Sequence, residues 1–514
     1  MTIRRAVVIG AGHNGLVAAI RLAGHGIPVT VVEAAPEPGG AVRSHSDTLP
    51  GFVHDTCSGF YPLTAASPAF RDLALERHGV EWIDPPTPMA HPSPDGSAIA
   101  LHRDLDATAA SLDGAAPGSG AAWRAVVDRL APQRELLFRA ALSRFPPLLP
   151  AAGLALRLRR DAAELARYAA GSAAATGLDM LGDRRAAAWF AGSVAHSDLS
   201  PGAALGGSFA LGLVLLGHLV GWPYPRGGAG RLTGALVAHL GELGGEIRCG
   251  VPVTGIQVRG ARAVGVRVGP GDELVPADAV ISTVSAGVLA RLVPEGALPV
   301  RLARRLARWR YGLGTFKLDL ALAGPVPWTA EEARRAAVVH VAGELESLFR
   351  SAHEAGAGEV PREPALVVGQ HSLHDPSRAP AGKQTLYVYA HVPHDPPLPD
   401  HAVVERIEEQ IERFAPGFRD LVLARAIRSP RALERENPSL VGGDLGGGSY
   451  EIDQQLVFRP AIELVRGRTP VRGLYVGGAS VHPGGGVHGV SGDAAARAVI
   501  ADASPLRVWR RWTI

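Results

Sequence analysis

The stretch AVVIGAGHNGLVAAIRLAGHGIPVTVVE, residues 6–33, decides the fold. A short apolar run leads into Gly10, Gly12 and Gly15, which are spaced G-x-G-x-x-G. Apolar residues at helical spacing follow, and then a second apolar run that ends on Glu33. Strand, glycine turn, helix, strand and acid, in that order, are typical of a βαβ unit that binds a dinucleotide. The sequence therefore predicts an α/β fold with a Rossmann-type domain.

Each part of this unit has a physical role. The first glycine permits a tight turn, the second lets a pyrophosphate approach the backbone, and the third lets the helix pack on the strand. The helix N-terminus attracts phosphate, and the acid accepts hydrogen bonds from a ribose. The same acid repels a 2′-phosphate, so NADP is disfavoured while FAD and NAD remain open. The predicted contacts are Gly10, Gly12, His13, Asn14, Gly15 and Glu33.

Composition excludes several other classes of function. Hydrophobic residues make up 46% of the 514 residues and charged residues 20%, which is typical of a folded protein. The formal net charge is only +3, and the sequence contains no run of basic residues, so we expect no nucleic-acid partner. Cys57 and Cys249 form neither a disulfide framework nor a redox motif. No sequence motif suggests a metal site or a hydrolase.

The opening residues, MTIRRAVVIGAGHNG, do not fit a secretory signal peptide. Their apolar run ends in glycine after four residues, and no cleavage site follows an apolar core. We therefore expect a cytoplasmic protein.

The segment after Glu33 points to one cofactor. EAAPEPGGAVRS resembles the R-x-G-G-R-x-x-S/T extension of FAD-containing amine oxidases and phytoene desaturases, although Pro38 and Ala41 depart from that pattern. This resemblance implies FAD, and it implies that Gly39, Gly40 and Arg43 contact it. Arg43 is the remaining cation of the pattern and would pair with the pyrophosphate. An ordinary surface arginine is the alternative.

Longer stretches resemble one family. GAGHNGLVAA, PGFVHDTCSGFYPLTAASPAF and GLYVGGASVHPGGGVHG are similar to bacterial phytoene dehydrogenase-related flavoproteins. That group includes the pyridine nucleotide-disulphide oxidoreductase domain proteins and lies in the monoamine oxidase-like superfamily. The resemblance spans nearly the full length. It implies a Rossmann-type FAD-binding domain interleaved with a substrate-binding domain.

A second G-x-G-x-x-G lies near the C-terminus, at Gly484, Gly486 and Gly489. Some eight residues separate it from the preceding apolar strand, and no strand and acid follow its helix, so we do not expect a second dinucleotide site. The resemblance implies that this loop closes over the flavin. The implied contacts are Gly477, Gly478, Gly486, Val487 and Gly489. His482 and His488 flank the loop as candidate catalytic residues, and simple packing is an equal alternative.

The middle of the chain defines the domain boundaries. YPRGGAGRLTGALVAHL resembles the segment that returns the chain to the FAD domain, and Val253, in the predicted strand from Val251 to Val253, is the implied contact to the adenine. The predicted FAD-binding domain is therefore discontinuous and consists of residues 1–85, 225–300 and 460–514. Residues 86–224 and 301–459 form the predicted substrate-binding domain.

Two apolar stretches bear on the substrate. Residues 201–225 contain no charged residue but many glycines, which favours a buried helix lining an apolar substrate cavity over a membrane span. Residues 142–160 mix leucines with arginines. This stretch fits a helix of the substrate domain, or alternatively a peripheral contact with a membrane surface.

Lys317 is the main catalytic candidate. Lys317 and Lys383 are the only lysines among the 52 basic residues, and the other 50 are arginine. A lysine kept in such a chain is a candidate for chemistry that arginine cannot supply. YGLGTFKLDLALAGPVPW resembles the monoamine oxidase strand in which a lysine holds a water against flavin N5. A lysine on a solvent-facing strand edge is the alternative.

These observations predict an FAD-dependent oxidoreductase. The resemblance implies hydride transfer between flavin N5 and a C–C bond of an apolar, isoprenoid or polyene substrate, in the direction of desaturation or saturation. The expected electron acceptor is O2, a quinone or another carrier. A flavin amine oxidase is one alternative, and a redox-neutral isomerase or scaffold protein with structural FAD is the other. The oligomeric state is not predicted.

Overall fold

The computed structural model of the chain describes residues 3–143 and 145–503. Residues 504–514 of the predicted FAD-binding domain, and Arg144, lie outside the described residues. In chain order the strands are β1 (Ala6–Ile9), β2 (Val29–Val32), β3 (Ser44–His45), β4 (His54–Asp55), β5 (Trp82–Ile83), β6 (Met89–Pro92), β7 (Ala98–Leu101), β8 (Tyr224–Pro225), β9 (Glu246–Arg248), β10 (Val253–Arg259), β11 (Arg262–Val268), β12 (Glu273–Pro276), β13 (Ala279–Ser282), β14 (Gly314–Leu322), β15 (Val338–Val341), β16 (Leu366–Gly369), β17 (Gln384–Val392), β18 (Val422–Arg428) and β19 (Leu474–Val476).

The α-helices follow the same order. They are α1 (His13–Ala23), α2 (Pro62–Ala66), α3 (Pro68–Arg71), α4 (Leu105–Ala115), α5 (Ser119–Leu130), α6 (Arg134–Ala141), α7 (Leu148–Leu158), α8 (Asp161–Ala170), α9 (Ala173–Leu181), α10 (Arg184–Ala191), α11 (Gly206–Leu219), α12 (Gly230–Glu242), α13 (Ala286–Leu292), α14 (Val300–Ala307), α15 (Glu331–Arg335), α16 (Leu345–Gly356), α17 (Asp400–Phe414), α18 (Pro430–Glu436) and α19 (Val490–Ala503).

The first sheet is parallel and has five strands in the order β19-β13-β1-β2-β9. The chain leaves β1 to one side through α1 and β2, and it adds β13 on the other side. The order of the strands therefore reverses at β1, and a ligand crevice is expected beyond the carboxyl ends of β1 and β13. This architecture confirms the predicted Rossmann-type fold.

The strands of this sheet are buried on both faces, which is why their sequences are continuous apolar runs. Val8 and Val31 pack into a core with helices α1, α12 and α19. Val7 and Val32 face the opposite side, where they meet a core shared with the small antiparallel sheet of β10, β11 and β12. Alternate side chains of one strand thus serve two layers.

The second large sheet has seven strands in the order β18-β14-β17-β16-β15-β6-β7, and its neighbours are antiparallel except for the pair β15 and β6. Helices α9, α10 and α11 cover one face, and α17 covers the other. Strands β5 and β8 pair where the chain passes between the two large sheets. We propose on this basis the division into two domains given by the sequence.

Two local features differ from the sequence expectations. The strand expected at Val251 begins at Val253, because the backbone N–H of Val251 instead donates to the carbonyl of Glu33 at 2.9 Å. The strand that contains Lys317 ends at Leu322, well before Trp328.

Helix α11 lies within the uncharged stretch of residues 201–225, and eight of its 14 residues are buried. Within the part of the chain that the structure describes, no helix is both long enough and apolar enough to cross a membrane.

The packing of α19 on α1 depends on a missing side chain. A Cβ on Gly492 would lie 2.0 Å from the carbonyl oxygen of Asn14. We expect Gly492→Ala to lower the free energy of unfolding by about 1–3 kcal/mol, because the two helices must move apart. Gly234→Ala on α12 is the control, since a Cβ there meets nothing within 4 Å. Urea denaturation measures both variants, and equal stability of the two would contradict this account.

Candidate functional site

A cavity of about 320 Å³ lies beyond the carboxyl ends of β1, β2 and β13. We name it the glycine-loop cavity. It gathers residues from both ends of the chain and from the middle, which the sequence placed in three separate segments. The residues predicted to bind the cofactor that line it are Gly10, Gly12, His13, Asn14, Glu33, Gly40, Val253, Gly486 and Val487.

The glycine loop leaves space where an anion would bind. Gly12 is the N-cap of α1, and a Cβ built on it meets nothing within 4 Å. The first turn of α1 carries no acidic residue, so the positive end of the helix dipole is not neutralised. Backbone N–H groups and a helix N-terminus facing open space fit the pyrophosphate of a dinucleotide.

Glu33 is fixed at the end of β2. Its carboxylate accepts hydrogen bonds from the backbone N–H of Ala11 at 2.6 Å and of Ala35 at 2.9 Å. The side chain is only partly buried and lines the glycine-loop cavity. A carboxylate has further lone pairs, so Glu33 can accept a ribose hydroxyl while it holds the loop. These residues fit the adenosine end of FAD.

The other predicted cofactor residues lie behind this lining and shape it. A Cβ on Gly15 would lie 1.9 Å from the carbonyl oxygen of Gly10, and one on Gly478 would lie 2.3 Å from that of Thr283. Arg43 donates to the carbonyl of Gly40 at 3.0 Å. The predicted residues that do not line the glycine-loop cavity are Gly15, Gly39, Arg43, Gly477, Gly478 and Gly489.

The C-terminal glycine loop closes the cavity at its far end. Gly486 has φ of +103° and is exposed to the cavity. The loop is fastened by Thr64, whose hydroxyl donates to the carbonyl of Val487 at 2.5 Å, and by Ser67, which donates to the carbonyl of His488 at 2.5 Å. The sequence expectation that this loop and the first glycine loop face one ligand agrees with this geometry.

A second cavity, of about 220 Å³, adjoins the first through Ala41, Ser58, Leu445, Gly486 and Val487, which line both. We name it the aromatic cavity. Helix α11 contributes Phe209 and Leu213 to its wall, as the uncharged stretch predicts. The remaining aromatic residues of its wall are Phe60, Tyr61, Trp222, Tyr387, Tyr389 and Tyr450.

An outer cavity of about 470 Å³ continues from the aromatic cavity towards the surface. The two share Ser197, Asp198, Leu313 and His391. Together the three cavities form a path that leads from the surface to the glycine loop.

The two candidate histidines are engaged in packing. His488 is buried, with its Nε2 3.0 Å from the carbonyl of Gly484 and its Nδ1 accepting from the N–H of Val490 at 3.1 Å. Burial lowers the pKa of His488 to about 4. His482 packs against the ring of Phe145 with centroids 5.0 Å apart, and burial lowers its pKa to about 4. Neither lines the glycine-loop or the aromatic cavity.

Lys317 is buried on β14, which lies inside the seven-stranded sheet and not at its edge. Its Nζ donates to Asp319 and lies 3.9 Å from the centroid of the Tyr387 ring. Burial lowers the pKa of Lys317, and the carboxylate of Asp319 opposes this shift. Lys317 itself lines neither cavity, whereas Tyr387 lines the aromatic one.

Several lining residues escaped the sequence analysis. Residues 437–440 reach the glycine-loop cavity from the far side, and Thr283 and Ser285 reach it from the end of β13. Thr283 could have been predicted from the sequence, because it follows a buried strand that joins the sheet beside β1. Residues 437–440 form a loop without a motif, so only the tertiary fold could place them.

Comparison with known proteins identifies the class. The family model for flavin containing amine oxidoreductase matches residues 15–500, and the chain belongs to that family. This confirms the predictions of FAD and of an FAD-dependent oxidoreductase.

Curated relatives match along almost the whole chain. Pyridine nucleotide-disulfide oxidoreductase domain-containing protein 2 of Rattus norvegicus is 28% identical over 97% of this chain and 93% of its own. One of the subunits of limonene dehydrogenase from Castellaniella defragrans is 27% identical over 99% and 96%. The zeta-carotene-forming phytoene desaturase of Myxococcus xanthus is 28% identical over 94% and 91%. The predicted phytoene desaturase-like group is thereby confirmed.

The solved structure of an oxidoreductase from Methanosarcina mazei has the same fold. It matches with a TM-score of 0.61 and 18% identity, over 96% of this chain and 99% of that one.

Gly12 offers a direct test of the cofactor position. Its extended backbone, with φ of −70° and ψ of 170°, accepts valine without strain, and a Cβ there meets nothing within 4 Å and points into space that we assign to FAD. We expect Gly12→Val to fold normally and to weaken FAD binding at least tenfold, which corresponds to about 1.4 kcal/mol.

Flavin absorbance per mole of purified protein, and titration of the apoprotein with FAD, measure this effect. Gly271→Val is the control, because a Cβ there also meets nothing within 4 Å. Wild-type flavin affinity in Gly12→Val would place the pyrophosphate elsewhere.

Proposed function

We propose that the protein desaturates a C–C bond of an apolar isoprenoid or polyene substrate bound in the aromatic cavity. The observation that carries this proposal is the wall of that cavity, which is aromatic and aliphatic along most of its extent and opens directly onto the glycine-loop cavity. A pocket of this kind binds an apolar chain by burial of its surface. When bound, FAD supplies the hydride acceptor at N5.

The residues of the chain orient the substrate and exclude water. Phe209 and Leu213 on α11 and the rings of Tyr387 and Tyr389 on β17 all line the cavity. Stacked or edge-on rings restrict a flat polyene to one plane, which holds its reacting carbon against the flavin end of the path. The outer cavity gives a long substrate room to extend.

The names of two relatives support this substrate class. Limonene and phytoene are apolar isoprenoids, and the proteins named for them align with nearly the whole chain. We propose O2, a quinone or another carrier as the acceptor that reoxidises the flavin.

An amine oxidase is the nearest alternative, because Asp198 and Asp444 reach the aromatic cavity. Both carboxylates already have internal partners. Asp444 accepts backbone N–H groups of Gly446 and Gly448, each at 2.6 Å, and Asp198 accepts the hydroxyl of Ser449 at 2.7 Å. Their hydrogen bonds support a role in holding the loop of residues 444–450 over a role in binding a substrate ammonium.

Lys317 enters this proposal as a positioning residue. Its ammonium lies against the face of Tyr387, and the hydroxyl of Tyr387 donates to the carbonyl of Cys57. We propose that Lys317 holds the Tyr387 ring, and through it the wall of the aromatic cavity, in place. The proposed role of His482 and His488 is to hold the C-terminal glycine loop.

We also propose a peripheral membrane contact through α7, in the stretch where the sequence mixes leucines with arginines. Leu148, Leu149 and Leu156 are 63%, 87% and 78% exposed, and Arg157 lies on the same helix. Exposed leucines beside a basic residue suit the interface of an anionic bilayer. This contact would bring the protein to the phase in which an apolar substrate is dissolved.

Anaerobic flavin reduction tests the proposed desaturation. We expect phytoene in detergent micelles to bleach the flavin absorbance and to yield a product with two hydrogens fewer, whereas putrescine leaves the flavin oxidised. Leu213→Asp should slow the reduction at least about tenfold, because it sets a charge in the apolar wall. Leu178→Asp, at an exposed position on α9, is the control and should react normally.

Bleaching by putrescine alone would establish the amine oxidase alternative. An isomerised product without bleaching would establish a redox-neutral reaction. Reoxidation of dithionite-reduced protein by the polyene would assign the direction of saturation.

Binding to phosphatidylglycerol vesicles tests the membrane contact. We expect the double variant Leu149→Glu/Leu156→Glu to lose sedimentation with the vesicles, because two apolar side chains no longer enter the interface and two charges are repelled. Leu423→Glu on the edge strand β18 is the control, since Leu423 is also exposed. Equal binding of both variants, or no binding by the wild type, would contradict the contact.

A further inference from the structure

A row of polar side chains crosses the seven-stranded sheet from the aromatic cavity outwards. Tyr389 on β17 is paired with Val367 on β16, and Val367 is paired with His340 on β15. The parallel register that pairs β15 with β6 brings His91 beside His340. The strands therefore set Tyr389, His340 and His91 on one face of the sheet, in one line.

His196 connects the first two members of this row. It lies in the 3-10 turn Gly192–His196, and it lines the aromatic cavity together with Val367 and Tyr389. Its Nδ1 is 3.4 Å from the hydroxyl of Tyr389, and its Nε2 is 2.8 Å from Nε2 of His340. Three side chains are thus linked from the cavity into the sheet.

The next step of the row passes beside Gly192. A Cβ on Gly192 would lie 2.8 Å from Nδ1 of His91 and 3.4 Å from Nδ1 of His340. Both nitrogens are fully buried, and neither has a hydrogen-bond partner among the residues that the structure describes. A buried polar atom without a partner costs stability, so two such atoms facing one point favour a shared water.

The outer end of the row reaches the surface. Nε2 of His91 is 2.6 Å from the carbonyl oxygen of Gly343. His91 and Gly343 both line a surface cavity of about 390 Å³, whose other walls include Asp95, Arg184 and Arg185. These charged side chains are about half exposed, so the cavity is accessible to water.

The contacts fix one pattern of protons. The carbonyl of Gly343 can only accept, so His91 carries its proton on Nε2 and leaves Nδ1 as an acceptor. A water beside Gly192 can donate to this nitrogen and accept the Nδ1–H of His340. Nε2 of His340 then accepts the Nε2–H of His196. The free Nδ1 of His196 accepts the hydroxyl of Tyr389. Burial lowers the pKa of His196 to about 3 and that of His91 to about 4, which keeps each ring neutral with one proton.

We propose that Tyr389, His196, His340 and His91, with one water beside Gly192, form a proton relay from the aromatic cavity to the surface cavity. This inference rests on the proposed function. Desaturation breaks two C–H bonds: one hydrogen leaves with its electron pair to the flavin, and the electrons of the other bond form the new double bond. The proton left over enters at the Tyr389 oxygen as the phenol proton moves to His196. Successive transfers reach Nδ1 of His91, and its Nε2 proton passes to water in the surface cavity when the hydrogen bond to the carbonyl of Gly343 opens.

The relay gives the proton a route to solvent when the substrate fills the cavities. A long apolar substrate in the aromatic and outer cavities excludes water from the direct route to solvent. The relay instead runs along this face of the sheet, from the aromatic cavity to the surface cavity at His91. Tyr389 and His196 line the aromatic cavity and can touch the substrate, whereas His340 and His91 act through them.

Two structural measurements test the hydrogen-bond pattern of the relay without a substrate. A crystal structure of the FAD-bound protein should show one ordered water between His91 and His340. Nitrogen NMR of histidine-labelled protein should find the proton of His340 on Nδ1. Absence of the water, or a proton on Nε2 of His340, would overturn the relay.

Gly192→Ala should remove the water and change the His340 signal. The backbone at Gly192 is right-handed helical, with φ of −55° and ψ of −24°, so alanine adds no backbone strain. Gly114→Ala, where a Cβ meets nothing within 4 Å, is the control and should leave both readouts unchanged.

Proton transfer itself is measured in anaerobic reduction by phytoene. His340→Leu should keep FAD bound and slow the reduction on the order of 10²-fold, with a larger solvent deuterium isotope effect. His91→Ala should be slowed likewise and be rescued by added imidazole, which the surface cavity admits. Unchanged rates and isotope effects in both variants would overturn the relay. If phytoene does not reduce the wild-type flavin, the proposed desaturation fails, and the water and the tautomer alone decide the relay.

Discussion

The close packing of α1 on the turn after β1, and of α19 on α1, is the constraint on which the rest of the structure depends. Helix α1 packs so near the turn that a Cβ on Gly15 would overlap the carbonyl of Gly10, and α19 packs so near α1 that Gly492 touches the backbone of Asn14. The C-terminal glycine loop directly precedes α19, so this packing also brings Gly486 to the glycine-loop cavity. One steric requirement thus unites the two ends of the chain around a single cavity, the proposed cofactor site.

A buried ion pair ties this unit to the second sheet. Arg378 donates to Asp55 at 2.7 Å, to Asp375 at 3.1 Å and to the carbonyl of Pro225 at 3.1 Å. Burial alone would raise the pKa of Asp55, but Arg378 and the hydrogen bond from Ala229 outweigh it, so the pKa lies below its ordinary value. The stabilising contribution of Asp55 is therefore present above the ordinary pKa of an aspartate and is lost as the pH falls through the lowered one. Because the cavities lie between the two sheets, this pair helps to fix their shape.

The sequence predicts those parts of the site that follow from local geometry. The run from Ala6 to Glu33 contains strand, turn, helix and acid in sequence order, so these elements and their place at the glycine-loop cavity could be predicted directly. Packing that depends on distant segments could not be read in this way. The row from Tyr389 to His91 exists only because four strands of different sequence pair in one register. Local patterns report short-range structure, whereas strand pairing is set by the whole fold.

The buried contacts of Lys317 offer a structural reason for a lysine in a chain whose basic residues are almost all arginine. Lys317 has Asp319 on one side and the Tyr387 face on the other, within a cluster that also holds His45 and Arg428. Burial alone would raise the pKa of Asp319, but Lys317 and the neighbouring histidines lower it below its ordinary value, so the carboxylate stays charged. A compact ammonium fits between a carboxylate and a ring, whereas a planar guanidinium is wider and needs more donors satisfied. Arg428 lies 3.7 Å from Oδ2 of Asp319, so Lys317 is the cation that pairs with the Oδ1 side of this carboxylate.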